Sequence, residues 1–468
     1  MSFTPPYPKP HQNKSSFLLR FLRGWHSWLH VLFEKSYSMK MGHIHQRGLD
    51  LYMVNEPLWV RRILVENASR YPKHQLMHEI LEPLLGNSIF TTNGPTWERQ
   101  RRLVDQAFAQ ARLQAVFPKM LDAVEAMLQR LDPASQSSAP LEIDGEMTCV
   151  TADVMFRTIL SEQLGQADSQ AIYESFINFQ AHAQKAAILS FYKLPTFFPK
   201  RSSRKSAATI RSILSKIIAR RFEQTRNGAP QPQDILAGLM EAVDPVANDR
   251  FSYEEITDQV CMLFLAGHET SASALAWSLY LLSHSPETIQ SLRAEVQREV
   301  GQRPFKYGDT HRLKKTWNVF REALRLYPPV GFFVREASET HEIRDKTVSK
   351  GCPILISPWL LHRHRSIWKD PDVFNPERFE TDEGKQSARE AFIPFSAGPR
   401  VCVGAAFAAQ EAVLILASII RRYNILPDTS HTPEPVGRVT IRSGNGIRVR
   451  FQPVDPTHSP SLPSAPSP

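Results

Sequence analysis

The sequence has 468 residues, of which 42% are hydrophobic and 22% charged, and its formal net charge is +9. This is an ordinary globular composition, long enough to bury a large core. The positive charge suits an acidic partner, but no zinc-finger, basic-zipper or RNA-binding signature accompanies it, so a nucleic-acid partner is not expected. The four cysteines form no C-x-x-C pair, which argues against a disulfide framework and favours a cytoplasmic location.

The amino-terminal region is predicted to be amphipathic rather than membrane-spanning. Residues 1–16 are rich in proline and are expected to be flexible. Residues 17–33 then repeat apolar side chains at helical spacing, but Arg20 and Arg23 interrupt the run, so it does not suit a transmembrane helix. Such a helix either packs against its own domain, which is the favoured interpretation, or makes a peripheral membrane contact.

Helical periodicity dominates the middle of the chain, after a predicted strand at residues 47–54. The predicted helical blocks lie near residues 96–130, 145–187, 202–226, 252–284, 286–300 and 311–326. The last third alternates short strands and turns, with one helix at about 403–422 and a final strand near 446–453. We therefore expect a mostly α fold with small β-sheets (α+β), as a single domain over residues 17–453, followed by a disordered Pro/Ser-rich tail at 454–468.

The most specific motif is Phe395-x-x-Gly398-x-Arg400-x-Cys402-x-Gly404. A chance match at these five positions is expected roughly once in ten thousand sequences of this length. The glycines allow a backbone bend with positive φ, and Cys402 lies just before an apolar helix. A thiolate at a helix N-terminus is stabilised by the helix dipole, which lowers its pKa and suits it to iron. Phe395 can shield the sulfur from water, and Arg400 can bind a carboxylate.

This loop resembles the cysteine loop of the cytochrome P450 family of haem-thiolate monooxygenases. The resemblance implies the P450 fold, with a long central helix over haem b, with Cys402 as the iron ligand and with Arg400 at a haem propionate. It also implies that one oxygen atom of dioxygen is inserted into a lipophilic small molecule, by hydroxylation or epoxidation. Because no flavin or iron–sulfur domain is recognised in the sequence, we expect electrons from a separate ferredoxin or flavodoxin with its NAD(P)H-dependent reductase. A monomer is expected.

The segment AGHETS, residues 266–271, lies inside a long apolar helix. Small residues at 266 and 267 would let a ligand approach the backbone, and the Thr270 hydroxyl can bond to the carbonyl of Ala266. On its own, the segment is more typical of a solvent-facing polar turn. Through the family resemblance, Glu269 and Thr270 are identified as the acid–threonine pair that relays protons to dioxygen, and His268 is expected to point away from the haem.

Two further segments resemble parts of the family's haem-binding framework. Glu322 and Arg325 lie three apart on one helical face, and with Arg378 they resemble a buried ionic group that fixes the loop carrying Cys402. In GPTWERQRR, Trp97 and Arg101 lie four apart, which suits either a solvated charged face or, by the resemblance, propionate binding. The residues that the resemblance assigns to the propionates here are Trp97, Arg101 and Arg335. The neighbouring Arg99 and Arg102 would then form part of a basic face that steers an acidic electron donor.

Three apolar segments resemble the family's substrate-recognition sites: residues 86–94, 176–198 and 330–333. They favour a fatty acid, a terpenoid or a similar lipophile. The basic run at residues 200–205 suits either a substrate carboxylate or a solvated helix start.

Other functions stay open at this point. A haem-thiolate peroxygenase or isomerase would use the same loop without redox partners, and a non-catalytic haem protein would bind a gas or a lipophile. A metal-binding or hydrolytic protein is the alternative from another class, but no second cluster completes its sites, so a surface location is favoured for the residues concerned. These residues are His43 and His45, His362 and His364, and Ser202 and Lys205.

Overall fold

The computed structural model describes residues 3–12, 16–46, 49–137, 139–163, 166–192 and 194–454, so the predicted disordered tail lies outside the described residues from 455 onward. Most of the described residues are helical. The helices are α1 (Phe17–His26), α2 (Pro57–Arg61), α3 (Gln75–Leu85), α4 (Gly94–Ala107), α5 (Gln110–Ser135), α6 (Ile143–Met155), α7 (Gln166–Phe191), α8 (Phe197–Arg226), α9 (Ile235–Glu241), α10 (Tyr253–Ser283), α11 (Pro286–Glu299), α12 (Lys314–Leu326), α13 (Pro358–Leu361), α14 (Asp382–Ala391) and α15 (Ala405–Arg422).

Small sheets lie beside the helices, as expected for the α+β class. The strands are β1 (Met41–Gln46), β2 (Leu49–Val54), β3 (Leu141–Glu142), β4 (Phe333–Glu336), β5 (His341–Ile343), β6 (Lys346–Val348), β7 (Pro353–Ile356), β8 (Tyr423–Pro427), β9 (Pro435–Gly437), β10 (Ile441–Ser443) and β11 (Arg448–Pro453). The largest sheet has the order β1-β2-β7-β4, in which β2 and β7 run parallel. The amino-terminal hairpin and the last third of the chain therefore build one sheet.

The central helix α10 agrees with the predicted block at 252–284. Ser252 and Glu255 form a capping box at its start, with each side chain accepting a hydrogen bond from the other residue's backbone N–H. From residue 271 to its end, every α10 side chain is buried. A helix that is buried on all sides belongs in a protein core, so α10 is a rigid central element against which the other elements pack.

Two predicted blocks are divided in the structure. The block at 96–130 consists of α4 and α5, separated at Phe108 and Ala109. The block at 145–187 consists of α6, a π-helical turn and α7, with Ser161 in the left-handed region (φ 56°). Such short breaks leave the apolar face on the same side of the chain, so hydrophobic periodicity does not reveal them.

The segment at 17–33 is not one continuous amphipathic helix. It breaks at Ser27, whose backbone is extended (φ −157°), and a 3₁₀ turn follows. Leu29 and Leu32 are buried, and Trp28 Nε1 donates to the Arg438 carbonyl at 3.1 Å. The second half of the predicted stripe therefore packs against its own domain. No helix among the described residues is long and apolar enough to cross a membrane.

Part of the proline-rich start packs on the protein. Phe3 forms an isolated β-bridge with Phe374, and the Tyr327 hydroxyl donates to the Pro6 carbonyl at 2.6 Å. For residues 3–12, the structure thus differs from the expected flexible start, because buried partners hold this stretch.

A fully buried ionic triad joins α12 to the last third of the chain. The Glu322 carboxylate accepts hydrogen bonds from Arg325 Nε at 2.8 Å and from Arg378 Nε at 2.9 Å. It also accepts from the Asn375 backbone N–H at 3.0 Å. Burial alone would raise the pKa of Glu322, but the two guanidinium groups hold it below its ordinary value. The carboxylate is therefore charged and fully partnered.

This triad connects to the Cys402 loop through His362. Arg325 donates to the His362 carbonyl at 2.9 Å, and the His362 ring accepts from the Ile393 N–H at 2.9 Å. Burial lowers the pKa of His362 to about 3, so the ring is neutral and can accept. Two residues later, the Phe395 carbonyl accepts the Cys402 N–H at 2.9 Å. Hydrogen bonds therefore connect the triad to the Cys402 loop, which supports the structural role predicted for the triad.

We predict that Glu322→Gln lowers the free energy of unfolding by about 3–5 kcal/mol, because it leaves Arg325 and Arg378 buried without a carboxylate. The variant should also fail to incorporate the haem that the family resemblance implies, since the Cys402 loop loses its anchor. Chemical denaturation followed by circular dichroism measures the first effect, and the haem absorbance of purified protein measures the second.

The matched control is Glu66→Gln, which breaks the exposed Glu66–Arg61 pair (3.1 Å) and should cost less than about 1 kcal/mol. Equal losses in the two variants would contradict a special role for the buried triad.

Candidate active site

A cavity of about 1130 Å³ lies between α10 and the Cys402 loop, with further walls from α3, α7, β4 and the β9–β10 turn. It exceeds the range of about 300–1,000 Å³ typical of small-molecule pockets. It can therefore hold a flat cofactor and a second molecule together. All nine residues predicted as site residues line it: Trp97, Arg101, Glu269, Thr270, Arg335, Phe395, Arg400, Cys402 and Gly404.

The Cys402 loop is a tight turn held by backbone hydrogen bonds. The Cys402 N–H donates to the Phe395 carbonyl at 2.9 Å, and the Val401 N–H to the Gly398 carbonyl at 3.0 Å. Gly398 has a φ of +69°, and a Cβ there would lie 2.0 Å from the Leu64 carbonyl oxygen. Only glycine fits this position, because both the backbone conformation and the close approach exclude a side chain.

Gly404 differs from the prediction in its backbone conformation. Its φ is −85°, and it caps α15, so the expectation of positive φ is correct at Gly398 but wrong at Gly404. A Cβ on Gly404 would lie 3.9 Å from Cys402 Sγ, on the wall of the cavity. Glycine therefore keeps the space beside the sulfur free.

The Cys402 thiol is exposed only to the cavity and is otherwise enclosed by protein. Burial raises its pKa above the ordinary value, although a hydrogen bond from the Gly404 N–H and the charge of Arg101 oppose this. The predicted lowering of this pKa is thus wrong for the protein alone, because burial outweighs the helix N-terminus. A coordinated metal ion deprotonates a thiol outright, so this sulfur suits a bound cation.

Four cationic side chains converge at one end of the cavity: Lys73, Arg101, Arg335 and Arg400. Burial lowers the pKa of Arg335 to about 10. Burial also lowers the pKa of Arg400 to about 10, with a further contribution from the charges of Arg335 and Arg101. Lys73 is partly buried, and its desolvation together with the three arginines holds its pKa well below the ordinary value.

These cations lack matching anions within the part of the chain that the structure describes. Only Arg101 contacts a carboxylate, that of Asp105 at 2.8 Å, while Arg400 donates to the amide oxygen of Asn93 at 2.8 Å. Arg400 also lies over the Trp97 ring, 4.1 Å from its centroid, which explains the position of Trp97. Buried like charges repel one another, so this end of the cavity suits a ligand with more than one carboxylate.

This donor set fits haem b. A cysteine sulfur suits iron, the cation cluster suits two propionates, and apolar side chains form the rest of the walls. On α10, Ala266 and Gly267 both line the cavity as predicted, and Gly267 also allows close helix packing, because a Cβ there would lie 2.4 Å from Met155 Cε.

Thr270 and Glu269 occupy different environments on α10. The Thr270 hydroxyl donates to the Ala266 carbonyl at 2.7 Å, as predicted, and the helix continues without a break. The buried Glu269 carboxylate pairs with Arg442 Nε at 2.6 Å and accepts from the Thr440 hydroxyl at 2.7 Å. His268 is buried, donates to the Phe264 carbonyl and does not line the cavity, in agreement with the prediction.

The predicted basic face does not form from Arg99 and Arg102. Arg99 pairs with Asp249 at 2.9 Å and with Glu255 at 2.7 Å. Arg102 binds both oxygens of Asp244, at 2.6 and 3.0 Å. These arginines join α4 to the segment before α10, so carboxylates of the same chain satisfy them.

Sequence reasoning missed Lys73 and Thr440, two polar residues of the cavity wall, and Arg442, which does not line the cavity but pairs with Glu269. None of them belongs to a motif, because long-range packing brings them to the site. The sequence shows only one feature that these residues share, a polar side chain near the end of a helix or strand. His362 and His364 are buried, so the surface location favoured for them from the sequence is wrong.

Behind the cavity wall, α15 contributes a buried carboxyl group, Glu411. Its oxygens have no regular hydrogen-bond partner among the described residues. Burial raises the pKa of Glu411 to about 8, although a contact with Ser271 of α10 opposes this. The group is therefore protonated at neutral pH and adds no charge to the core.

We predict that Glu411→Gln removes a pH dependence of stability. The unfolded chain releases the Glu411 proton near its ordinary pKa of 4.5, whereas the folded chain keeps it up to about pH 8. The free energy of unfolding of the wild type should therefore fall as the pH rises from 5 to 8, and Glu411→Gln should lack this component of the fall. Urea denaturation at pH 5, 6.5 and 8 measures the difference.

The exposed Glu287→Gln variant is the control, and its curve should run parallel to that of the wild type. A constant offset between Glu411→Gln and wild type at all three pH values would show that the buried group does not titrate in this window.

Comparison with known proteins agrees with this geometry. A family model described as cytochrome P450 matches residues 5–445. Cyclooctatin synthase of Streptomyces melanosporofaciens is 33% identical over 390 residues, covering 82% of this chain and 83% of that protein. Cytokinin hydroxylase of Arabidopsis thaliana is 28% identical over 409 residues, covering 86% of this chain and 78% of that protein.

The crystal structure of the cytochrome P450DA heme domain shares the fold. It superposes with a TM-score of 0.79 at 23% identity, covering 89% of this chain and 91% of that one.

Proposed function

This chain belongs to the cytochrome P450 family, and from that membership we propose which of its residues perform the family's chemistry. The chain is an oxidoreductase, a monooxygenase that uses thiolate-ligated haem b with dioxygen, a lipophilic substrate and redox partners. Cys402 is the iron ligand. The propionates lie at the cation cluster of Lys73, Arg101, Arg335 and Arg400.

One observation carries this assignment: the Cys402 sulfur faces the same cavity as the cluster of four cationic side chains, of which only Arg101 has a carboxylate partner within the described residues. One apolar cavity thus offers a sulfur ligand for a metal and a cationic end for carboxylates. This combination matches a flat metal cofactor that carries carboxylates. When bound, haem activates dioxygen and transfers one oxygen atom to the substrate, and a thiolate ligand favours cleavage of the O–O bond.

Phe395 and Gly404 shape the space around the sulfur. Phe395 lines the cavity beside Cys402 and excludes water from it, while Gly404 leaves room for a planar group. An apolar, water-poor setting strengthens the electrostatic interaction between the sulfur and a bound cation.

Thr270 and Glu269 handle protons. The Thr270 hydroxyl lies on the cavity wall and donates its hydrogen to the Ala266 carbonyl. Its oxygen is therefore free to accept a hydrogen bond from a donor in the cavity. Glu269 is the adjacent carboxylate, and it has to leave Arg442 to bring a proton to Thr270. Arg442 also lines a small polar pocket with Asp144, whose pKa is raised to about 6 by burial, so this pocket supports a proton supply from outside.

The substrate is a lipophile such as a fatty acid or a terpenoid. Each of the three predicted recognition segments contributes apolar residues to the cavity: Ile89 and Phe90, Phe179, Ala183 and Ala187, and Val330, Phe332 and Phe333. Lys200 of the basic run pairs with Glu79 at 3.1 Å, which favours a structural role for this lysine over binding of a substrate carboxylate.

Electrons come from a separate ferredoxin or flavodoxin with its NAD(P)H-dependent reductase, docking outside the Cys402 loop. Val65 and Val401 are exposed on this face. Arg62, 4.7 Å from the Trp59 ring centroid, has no carboxylate partner within the described part of the chain. A small apolar centre with a free cation beside it suits a weakly bound acidic protein.

A peripheral membrane contact involves α1 and the start of α8. Leu22 of α1 is 59% exposed, and Phe197 and Phe198 of α8 are 64% and 80% exposed. Exposed apolar side chains of this size suit the interface of a bilayer.

Cys402→Ser tests the iron ligand. We predict that the variant loses monooxygenase activity, because a serine hydroxyl does not supply thiolate electron density. The carbon monoxide difference spectrum of the dithionite-reduced wild type should show a strongly red-shifted Soret band, and that of Cys402→Ser should not.

The exposed Cys149→Ser variant is the matched control and should retain the band. A wild-type band at the shorter wavelength typical of a neutral ligand would contradict thiolate ligation by Cys402.

Thr270→Ala tests the proton relay. Removing the hydroxyl should leave reductant consumption largely intact but divert it to hydrogen peroxide, lowering product per NAD(P)H by about tenfold or more, as expected for loss of proton transfer. Product, peroxide and NAD(P)H are measured in the same reaction with a lipophilic substrate.

Thr270→Ser keeps the hydroxyl and should preserve coupling. Tightly coupled product formation by Thr270→Ala would remove Thr270 from the relay. Turnover that peroxide supports but a ferredoxin does not would favour a peroxygenase instead.

A further inference from the structure

The β1–β2 hairpin carries two histidines and an aspartate that the proposed function does not use. In its antiparallel register, His45 lies opposite Asp50, and His43 lies opposite Tyr52. Because strand side chains alternate between faces, these four residues share one face of the hairpin.

The three candidate ligands are close together. His43 Nε2 lies 2.8 Å from Asp50 Oδ1, and His45 Nδ1 lies 2.7 Å from the same oxygen. One ligand atom from each residue lies within 4.8 Å of those of the other two. The His43 ring is stacked on Tyr52, with centroids 4.3 Å apart and an interplanar angle of 3°, so its orientation is fixed.

We propose that His43, His45 and Asp50 bind a divalent transition-metal ion of the zinc type. Two imidazole nitrogens and one carboxylate oxygen form a common three-ligand set, with the remaining position taken by water. Imidazole suits zinc, nickel and copper, whereas calcium and magnesium prefer oxygen ligands alone. Sequence spacing alone gave only the two histidines, because the hairpin register is what adds Asp50.

Simple hydrogen bonding to Asp50 is the competing explanation of the same geometry. In the metal-free state, each histidine ring donates an N–H hydrogen bond to Asp50 Oδ1. A metal ion would require only a change of tautomer at each ring, together with small side-chain movements. The backbone that positions the three residues is therefore in place for either state, and the two differ in measurable metal affinity.

The other face of the hairpin reaches the cavity. Ile44, Leu51 and Met53 alternate with the ligands and line the cavity wall. A metal ion bound by both strands would thus cross-link the hairpin that forms this wall. Asp50 is itself part of the cavity lining, but the geometry of the three ligands comes from the register of the hairpin, so the site does not depend on the proposed function.

Zinc binding by the full-length, haem-loaded protein tests the site. After removal of metal with EDTA, titration with Zn²⁺ in a calorimeter should show one site, and Asp50→Asn and His43→Ala/His45→Ala should weaken it by about 100-fold or more, since even outer-shell changes cost about 10–100-fold. Unchanged haem absorbance and circular dichroism would show that the variants are folded.

The matched control is His26→Ala/His30→Ala. These two rings are also 5.9 Å apart, and His30 lies 3.7 Å from a carboxylate, Glu434. Zinc affinity should be unchanged in this variant. No binding heat in the wild type, or equal affinity in the wild type and in His43→Ala/His45→Ala, would overturn the proposal.

Hydrogen exchange gives an independent readout. Zn²⁺ should slow amide exchange in residues 41–54 of the wild type and leave it unchanged in His43→Ala/His45→Ala.

The Cys352 thiol is a neighbouring group that could bind the metal instead. Burial is the main cause that raises the pKa of this thiol, and the charge of Asp50 raises it further. Loss of zinc binding in Cys352→Ser with retention in the histidine variant would assign the metal to the thiol and reject the site.

Discussion

The Glu322 carboxylate, buried between Arg325 and Arg378, is the interaction on which the position of the Cys402 loop depends. Burying three charges is costly, and the structure offsets this cost with four hydrogen bonds to the carboxylate, two from Arg325 and one each from Arg378 and the Asn375 N–H. Arg325 also donates hydrogen bonds to three backbone carbonyls in the last third of the chain, those of His362, Pro371 and Val373. An irregular stretch with few strands is thereby fixed as firmly as a helix.

The cavity owes its shape to a second constraint, the rigid α10 above it. Beyond residue 270, α10 is buried on all sides, so it cannot change there without disturbing the core. The cavity walls outside α10 and the Cys402 loop include α3, α7, the segment after α12 and the β9–β10 turn. The proposed chemistry lies on α10 and the Cys402 loop, and the proposed selection of the substrate lies with the apolar side chains of these other walls.

Much of this site could be predicted because its motifs are local in sequence. Phe395 to Gly404 form one turn, and Glu322 and Arg325 lie on one helical face, so their spacing already contains their geometry. What the sequence could not provide depends on distant partners. The carboxylates that satisfy Arg99 and Arg102 lie about 140 to 160 residues away, and Lys73 and Thr440 reach the cavity only through packing. The direction of the Cys402 pKa shift was missed for the same reason, since burial is a property of the whole fold.

The cluster of Lys73, Arg101, Arg335 and Arg400 has a consequence for biosynthesis. The four side chains belong to four separate segments of the chain: the loop before α3, helix α4, strand β4 and the Cys402 loop. Before the cofactor arrives, their like charges oppose the approach of these segments to one another. Entry of a dianionic porphyrin reverses the sign of the interaction and draws the same segments together. Maturation of the enzyme would then end with an electrostatic closure that the porphyrin itself drives.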